Sequence, residues 1–207
     1  MKKILAWHFV AAHRRLRYDA ADLLVEPGYI YSAARGPLIM RNRGMHASRR
    51  AVDALRFGNG PVACRVACWG ELEEDTDKLV CRHREVLAMA DATLLLQKWA
   101  CWCVRYTPLA DGRTTWDLLT DERSRAAVET KERWLKGEAT EAEMAAASAA
   151  WAASAAASAA ASAAWAASAA RDAAWAAASA AARAAAWVAA KAAQNAQLEK
   201  LLAGVMR

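Results

Sequence analysis

Short runs dominated by apolar residues and bounded by turn formers predict strands over Ile4–Val10, Tyr29–Tyr31, Val62–Trp69 and Leu79–Met89. Pro27-Gly28 and Gly58-Asn59-Gly60-Pro61 punctuate two of these boundaries. Leu38-Ile39-Met40 leads through Arg41-Asn42-Arg43-Gly44 to Met45-His46-Ala47-Ser48. There Ser48 is expected to cap a short helix running through Arg56, with Val52 and Leu55 facing inward. Glu71 to Asp77 reads as an acidic loop. Asp91 is expected to cap a helix that carries Leu94, Leu95, Leu96, Trp99 and Val104 and stops near Pro108, and a second helix follows over Thr115–Lys136. The expected fold class is α+β: a small mixed α/β head domain over residues 1–137.

From Glu138 the pattern changes. Between Ala145 and Ala190 there are 32 alanines in 46 residues, with nothing that breaks a helix. Thr140-Glu141-Ala142-Glu143 is a capping-box sequence, and Gly204 is placed to stop a helix after Leu201-Leu202-Ala203. Ser148, Trp151, Ser154, Ser158, Ser162, Trp165, Ser168, Asp172, Trp175, Ser179, Arg183 and Trp187 span 39 residues in 11 steps, a period near 3.55 that puts all twelve on one stripe. The segment Ala149–Ala156 recurs fourteen residues later as Ala163–Ala170, a repeat of two heptads. Residues 138–207 are therefore expected to form one long Ala/Ser/Trp-rich α-helix, coiled-coil-like and oligomerising through Trp151, Trp165, Trp175 and Trp187. Two other readings remain. The uncharged stretch from 144 to 170 is long enough to span a membrane, but it holds five Ser and no Leu, Ile, Val or Phe, so no membrane partner is expected. Alternatively, the helix folds back on its own head or merely spaces it.

The chain has 207 residues, with 28 Lys and Arg against 22 Asp and Glu, and the head carries the whole net charge of +6. Arg35, Arg41, Arg43, Arg49, Arg50 and Arg56 fall within 22 residues, opposed only by Asp53. Guanidinium forks on loops and at a helix start suit phosphate. The expected partner is a phosphorylated small molecule held by His8, Tyr29, Arg35, Arg41, Arg43, His46, Ser48, Arg49 and Arg50. Nucleic acid fits less well, since no nucleic-acid-binding motif is present and the acidic run at 71–77 repels a long polyanion. Cys64, Cys68, Cys81, Cys101 and Cys103 are odd in number and their spacings, with His83, miss those of zinc ligands, so no metal is expected. Reduced thiols suit the cytoplasm. Met1-Lys2-Lys3 imitates the start of a signal peptide, but the apolar run is short and His13-Arg14-Arg15 follows it, so the segment reads as the first strand.

Two resemblances attach to these residues. Gly28-Tyr29, Gly44-Met45-His46-Ala47-Ser48, Asp53-Ala54-Leu55, Asp77-Lys78-Leu79-Val80 and Asp91-Ala92-Thr93, followed by an Ala-Trp repeat tail, resemble an uncharacterised family of phage and prophage proteins. That likeness implies a phage accessory protein in the host cytoplasm and carries no activity with it. Gly44–Ser48, Phe57 and Val62–Gly70 are similar to the middle of ADP-ribosyltransferase catalytic domains, where such segments wall an NAD pocket. This implies that His8 stands at the family's ribose-holding histidine and His46 at its stacking tyrosine. If the chain is an enzyme of that kind, His8, His46 and Asp77 are its catalytic set and an NAD-like molecule its ligand. Phe9 stands where that family has glycine, and Asp77-Lys78 where a glutamate belongs, which implies binding without turnover. A scaffold built on the alanine-rich helix is the third reading.

Overall fold

The structure, a computed structural model, describes residues 2–16, 23–40, 42–109, 111–149 and 173–206, with the backbone alone over 173–186. These residues pack as two compact units, one of 1–96 with 195–207 and the other of 97–194.

The first unit is built on an antiparallel sheet of β1 (Ile4–Val10), β2 (Ile30–Ser32), β3 (Met45–Ala47), β4 (Val62–Glu74) and β5 (Leu79–Asp91). β1 pairs with β4, β4 with β5, and the far edge of β5 takes both β2 and β3. Just beyond β3, Ser48 exchanges both backbone hydrogen bonds with Trp7, at 2.7 and 3.0 Å, so one bridge closes β1, β4, β5 and β3 into a ring. One face carries Ala6, Val10, Val62, Cys64, Val66, Cys68, Leu79, Cys81 and Val86 into the core. Pairing shifts by one residue of β4 between Trp69 and Leu72, and on β5 both Cys81 and Arg84 are buried.

Four local expectations are corrected. Ser48 does not cap α1 (Ala51–Phe57); the position falls to Arg50, whose side chain makes no cap bond. Ser48 is buried and committed to Trp7, while the first two N–H groups of α1 donate to Glu199 Oε1 (3.3 Å) and Asn195 Oδ1 (3.2 Å). The buried residues of α1 are Ala51, Asp53 and Ala54 rather than Val52 and Leu55. Small side chains let the helix lie close on β1, with Gly58 against Phe9. The acidic loop is shorter than expected, because Glu73 and Glu74 pair with Val80 and Leu79 inside the β4–β5 hairpin. Finally, the expected helix over Thr115–Lys136 is two: α3 (Thr115–Leu118) with a Thr114/Asp117 capping box, and α4 (Glu122–Leu135) capped by Asp121.

α2 (Thr93–Tyr106) begins in the first unit, where Asp91 accepts from the Thr93 N–H at 2.8 Å, and in the second unit Arg105 on it forks onto Glu132 at 3.0 and 2.7 Å. Thr140 and Glu143 form the expected capping box for α5 (141–149). α6 (Ala173–Ala203) ends at Gly204, as the sequence implies. Trp151 and Trp165 lie outside the described residues, as does the side chain of Trp175, and Trp187 is 68% exposed. Among the described residues no coiled-coil packing of the tail is seen. Its last turns belong to the sheet's own unit, where Leu198 and Leu202 are fully buried. No described helix is long and apolar enough to cross a membrane.

Candidate functional site

The ring of strands in the first unit leaves a cavity of about 990 Å³, a volume suited to a small organic ligand. β1 supplies one wall with His8 and β3 the next with His46. The turn after Ile39 brings in Arg43, the end of α1 adds Arg56 and Phe57, the β4–β5 turn adds Asp77 and Lys78, and β5 contributes Arg84. Gly44 makes the approach of β3 to β5 feasible. Its φ is +135°, and a Cβ there would run into Val80 Cγ2 and crowd Leu38.

Arg84 is 2% exposed. Its Nη1 donates to the His46 carbonyl at 2.6 Å, and its Nε has no acceptor. The acidic groups acting on it are weak acids: the thiols of Cys68, Cys81 and Cys64 and the Tyr31 phenol. Burial pushes the Cys64 thiol up to about 11, and the Cys68 hydrogen bond with burial raises Cys81 further. Desolvation pulls the Arg84 guanidinium down from its ordinary value, but a guanidinium keeps its proton in proteins. Arg84 is thus a buried cation facing the cavity.

The two histidines are held neutral. Burial, then Arg84 and His46, drives His8 well below the usual imidazole value. His46 is lowered by burial, Lys78 and Arg84, against a hydrogen bond donated by its ring to the Gly44 carbonyl, which favours its charged form. A neutral imidazole carries one N–H and one lone pair, and the His46 N–H is taken by Gly44. Among the described residues the lining carries Arg43, Arg56, Lys78 and Arg84 against Asp77 as the one carboxylate. Asp77 is 3.4 Å from Arg56, and the Lys78 ammonium sits 3.5 Å from the centre of the Phe57 ring.

No family model, curated protein or solved structure matches this chain. What the cavity can do rests on its own residues.

Of the residues nominated from sequence, His8, Arg43, His46 and Ser48 line this cavity together with Asp77. Tyr29 does not; it is 55% exposed and tilted against Tyr31. Arg35 is exposed and lines neither cavity, and Arg41 lies outside the described residues. Arg49 and Arg50 border a separate cleft of about 190 Å³, where Arg49 forks onto Glu74 and Arg50 holds Asp53 at 2.5 Å. Much of the arginine cluster therefore neutralises neighbouring carboxylates rather than facing the cavity. Sequence reasoning missed Lys78 and Arg84, and it counted Arg56 only as part of the cluster. Among the described residues no group of three His, Cys, Asp or Glu side chains is placed to hold a metal.

Chemically, the arrangement is a pocket with a cationic floor and rim, two neutral imidazoles, and apolar surface from Val10, Leu16 and Leu23. It favours a molecule with an anionic end and a less polar body.

Proposed function

We propose that the first unit is a binding module for a phosphorylated small molecule of nucleotide size. The observation that carries this reading is Arg84, a buried guanidinium with an unmatched Nε in the wall of a cavity whose described lining holds three further cations and a single carboxylate. An isolated buried charge is destabilising by several kcal/mol, and an anion delivered by a ligand relieves it. In a phage setting such a module sequesters a host signalling nucleotide as counter-defence, and the exposed Trp187 and Val188 of α6 supply a surface through which copies assemble. A thermal-shift panel on the full chain tests the reading. A nucleotide at a hundred times its Kd adds ~2.7 kcal/mol. Stabilisation no greater than that given by sulfate removes the proposal.

A second reading, ADP-ribosyl transfer or a related nucleotide reaction, is favoured by one observation: His8, His46 and Asp77 share the cavity. It predicts nicotinamide release from NAD that is lost in His8→Ala.

A further inference from the structure

We infer that the ligand enters with a terminal phosphoryl group leading, and that Arg84 is the residue that selects it. The inference rests on the proposed function and narrows its ligand class from phosphorylated molecules in general to phosphomonoesters.

Only 2% of Arg84 is accessible, and it lies among the cavity-lining residues. Nη1 is already committed to the His46 carbonyl, which fixes the guanidinium plane. The Nε–H is left without an acceptor, and with its neighbour on Nη2 it forms one of the two forked edges of the group. A phosphoryl group presenting two oxygens matches that fork. With so little of the arginine accessible, a compact chain end reaches it and the middle of a chain does not. A phosphate substituted on both sides, as in a cyclic nucleotide, a dinucleotide or a nucleic-acid strand, must carry its second substituent into space held by His8, His46 and the core thiols. A phosphomonoester brings nothing beyond its own oxygens. His8, flanking the approach, donates its one N–H to those oxygens while neutral.

Charges around the site come from every packed element. β1 gives His8, β3 gives His46, and β4 and β5 give only thiols beside Arg84. β2 gives the Tyr31 phenol, while Arg56, Asp77 and Lys78 lie at the α1 and hairpin side. Asp77 is the one carboxylate of this set, and it faces Arg56. Among the described residues no carboxylate acts on Arg84, and a bound anion supplies the counter-charge it needs.

The test is a calorimetric titration of the full chain with inorganic phosphate, adenosine 5′-monophosphate, 3′,5′-cyclic adenosine monophosphate and NAD, in wild type, Arg84→Met and Arg84→Lys. The expected result is binding of phosphate and the 5′-monophosphate, with the cyclic nucleotide and NAD at least tenfold weaker. Monophosphate affinity falls at least tenfold in both variants, while the melting point of unliganded Arg84→Met stays at or above wild type. Should Arg84→Met fail to fold, Arg84→Lys, which keeps the charge and loses the fork, decides the matter. Equal affinity for the cyclic nucleotide, or undiminished monophosphate binding in a folded Arg84 variant, overturns the inference and leaves the binding module standing. Absence of binding by every probe overturns both.

Discussion

The indole N–H of Trp7, on the first strand, donates to Glu199 Oε1 at 3.0 Å, across 192 residues of chain. The same oxygen accepts the Ala51 N–H at 3.3 Å, and Asn195 beside it accepts from Val52. The last turns of α6 therefore cap α1, whose far end lines the cavity. A chain cut before residue 195 loses the cap along with the fully buried Leu198 and Leu202. Glu199→Ala is expected to lower the stability of the first unit by about 1–3 kcal/mol, since it strands a part-buried indole N–H and a helix N-terminus. Urea denaturation followed by Trp fluorescence measures this. A change below about 0.5 kcal/mol would mean that the contact is incidental.

Acid should weaken the fold well before the carboxylates titrate. His8 and His46 have folded-state pKa values below the ordinary one, so the unfolded chain binds more protons and stability rises with pH. The contribution is complete above about pH 6.5, the unfolded value, and is lost as the pH falls below it, at up to about 1.4 kcal/mol per pH unit for each histidine. Glu74, lowered by its hydrogen bond to Arg49, acts in the same direction in a separate window below about pH 4.5. Urea midpoints measured between pH 7.5 and 5 should drop steadily, and His8→Asn should flatten that slope. A slope of equal steepness in the variant contradicts the assignment of His8 as a buried neutral group.

The strands and α2 were legible because each is a continuous apolar run between turn residues, and the tail's helical character because alanine dominates it. Ser48 misled for a physical reason. A serine before a short helix is a good local cap, but its backbone is taken by Trp7 and the cap comes from Glu199, 148 residues beyond Ala51. The inner face of α1 was misread because periodicity marks the large residues Val52 and Leu55, whereas close approach to β1 selects Ala51 and Ala54. Arg84 left almost no trace. In Arg82-His83-Arg84 every residue looks solvent-facing, and only pairing opposite the buried Cys68 marks Arg84 as the one that turns inward. The arginine cluster stood out but overstated the site, since it could not reveal that Arg49 meets Glu74 and Arg50 meets Asp53.

Glycine substitutions should separate a required close approach from a merely convenient turn. Gly44→Ala faces both a φ of +135° and Val80, and is expected to destabilise by about 2–4 kcal/mol. Gly112 also has a positive φ, of +81°, but a Cβ there meets nothing within 4 Å, so Gly112→Ala should cost only about 1 kcal/mol. Comparable losses measured by urea unfolding would contradict the account of how β3 seats on β5.

All five cysteines are free thiols, and Cys64, Cys68, Cys81 and Cys101 are buried. Burial pushes Cys64 and Cys103 each up to about 11. The thiolate is the reactive form, so aromatic-disulfide labelling of the native chain at pH 7.5 should be slow at these sites, and all five should react at once in denaturant. Rapid native labelling of Cys64 or Cys81 would show that the core around Arg84 opens readily.

The anion seat walled by β1, β3 and β5 is probed by titrating the intact chain with adenosine 5′-monophosphate at constant ionic strength, with chloride as the balancing salt. One saturable site per chain is expected, and it disappears when Arg84 is replaced by Met in a folded protein. Heats that never saturate, or that merely track ionic strength, would contradict it.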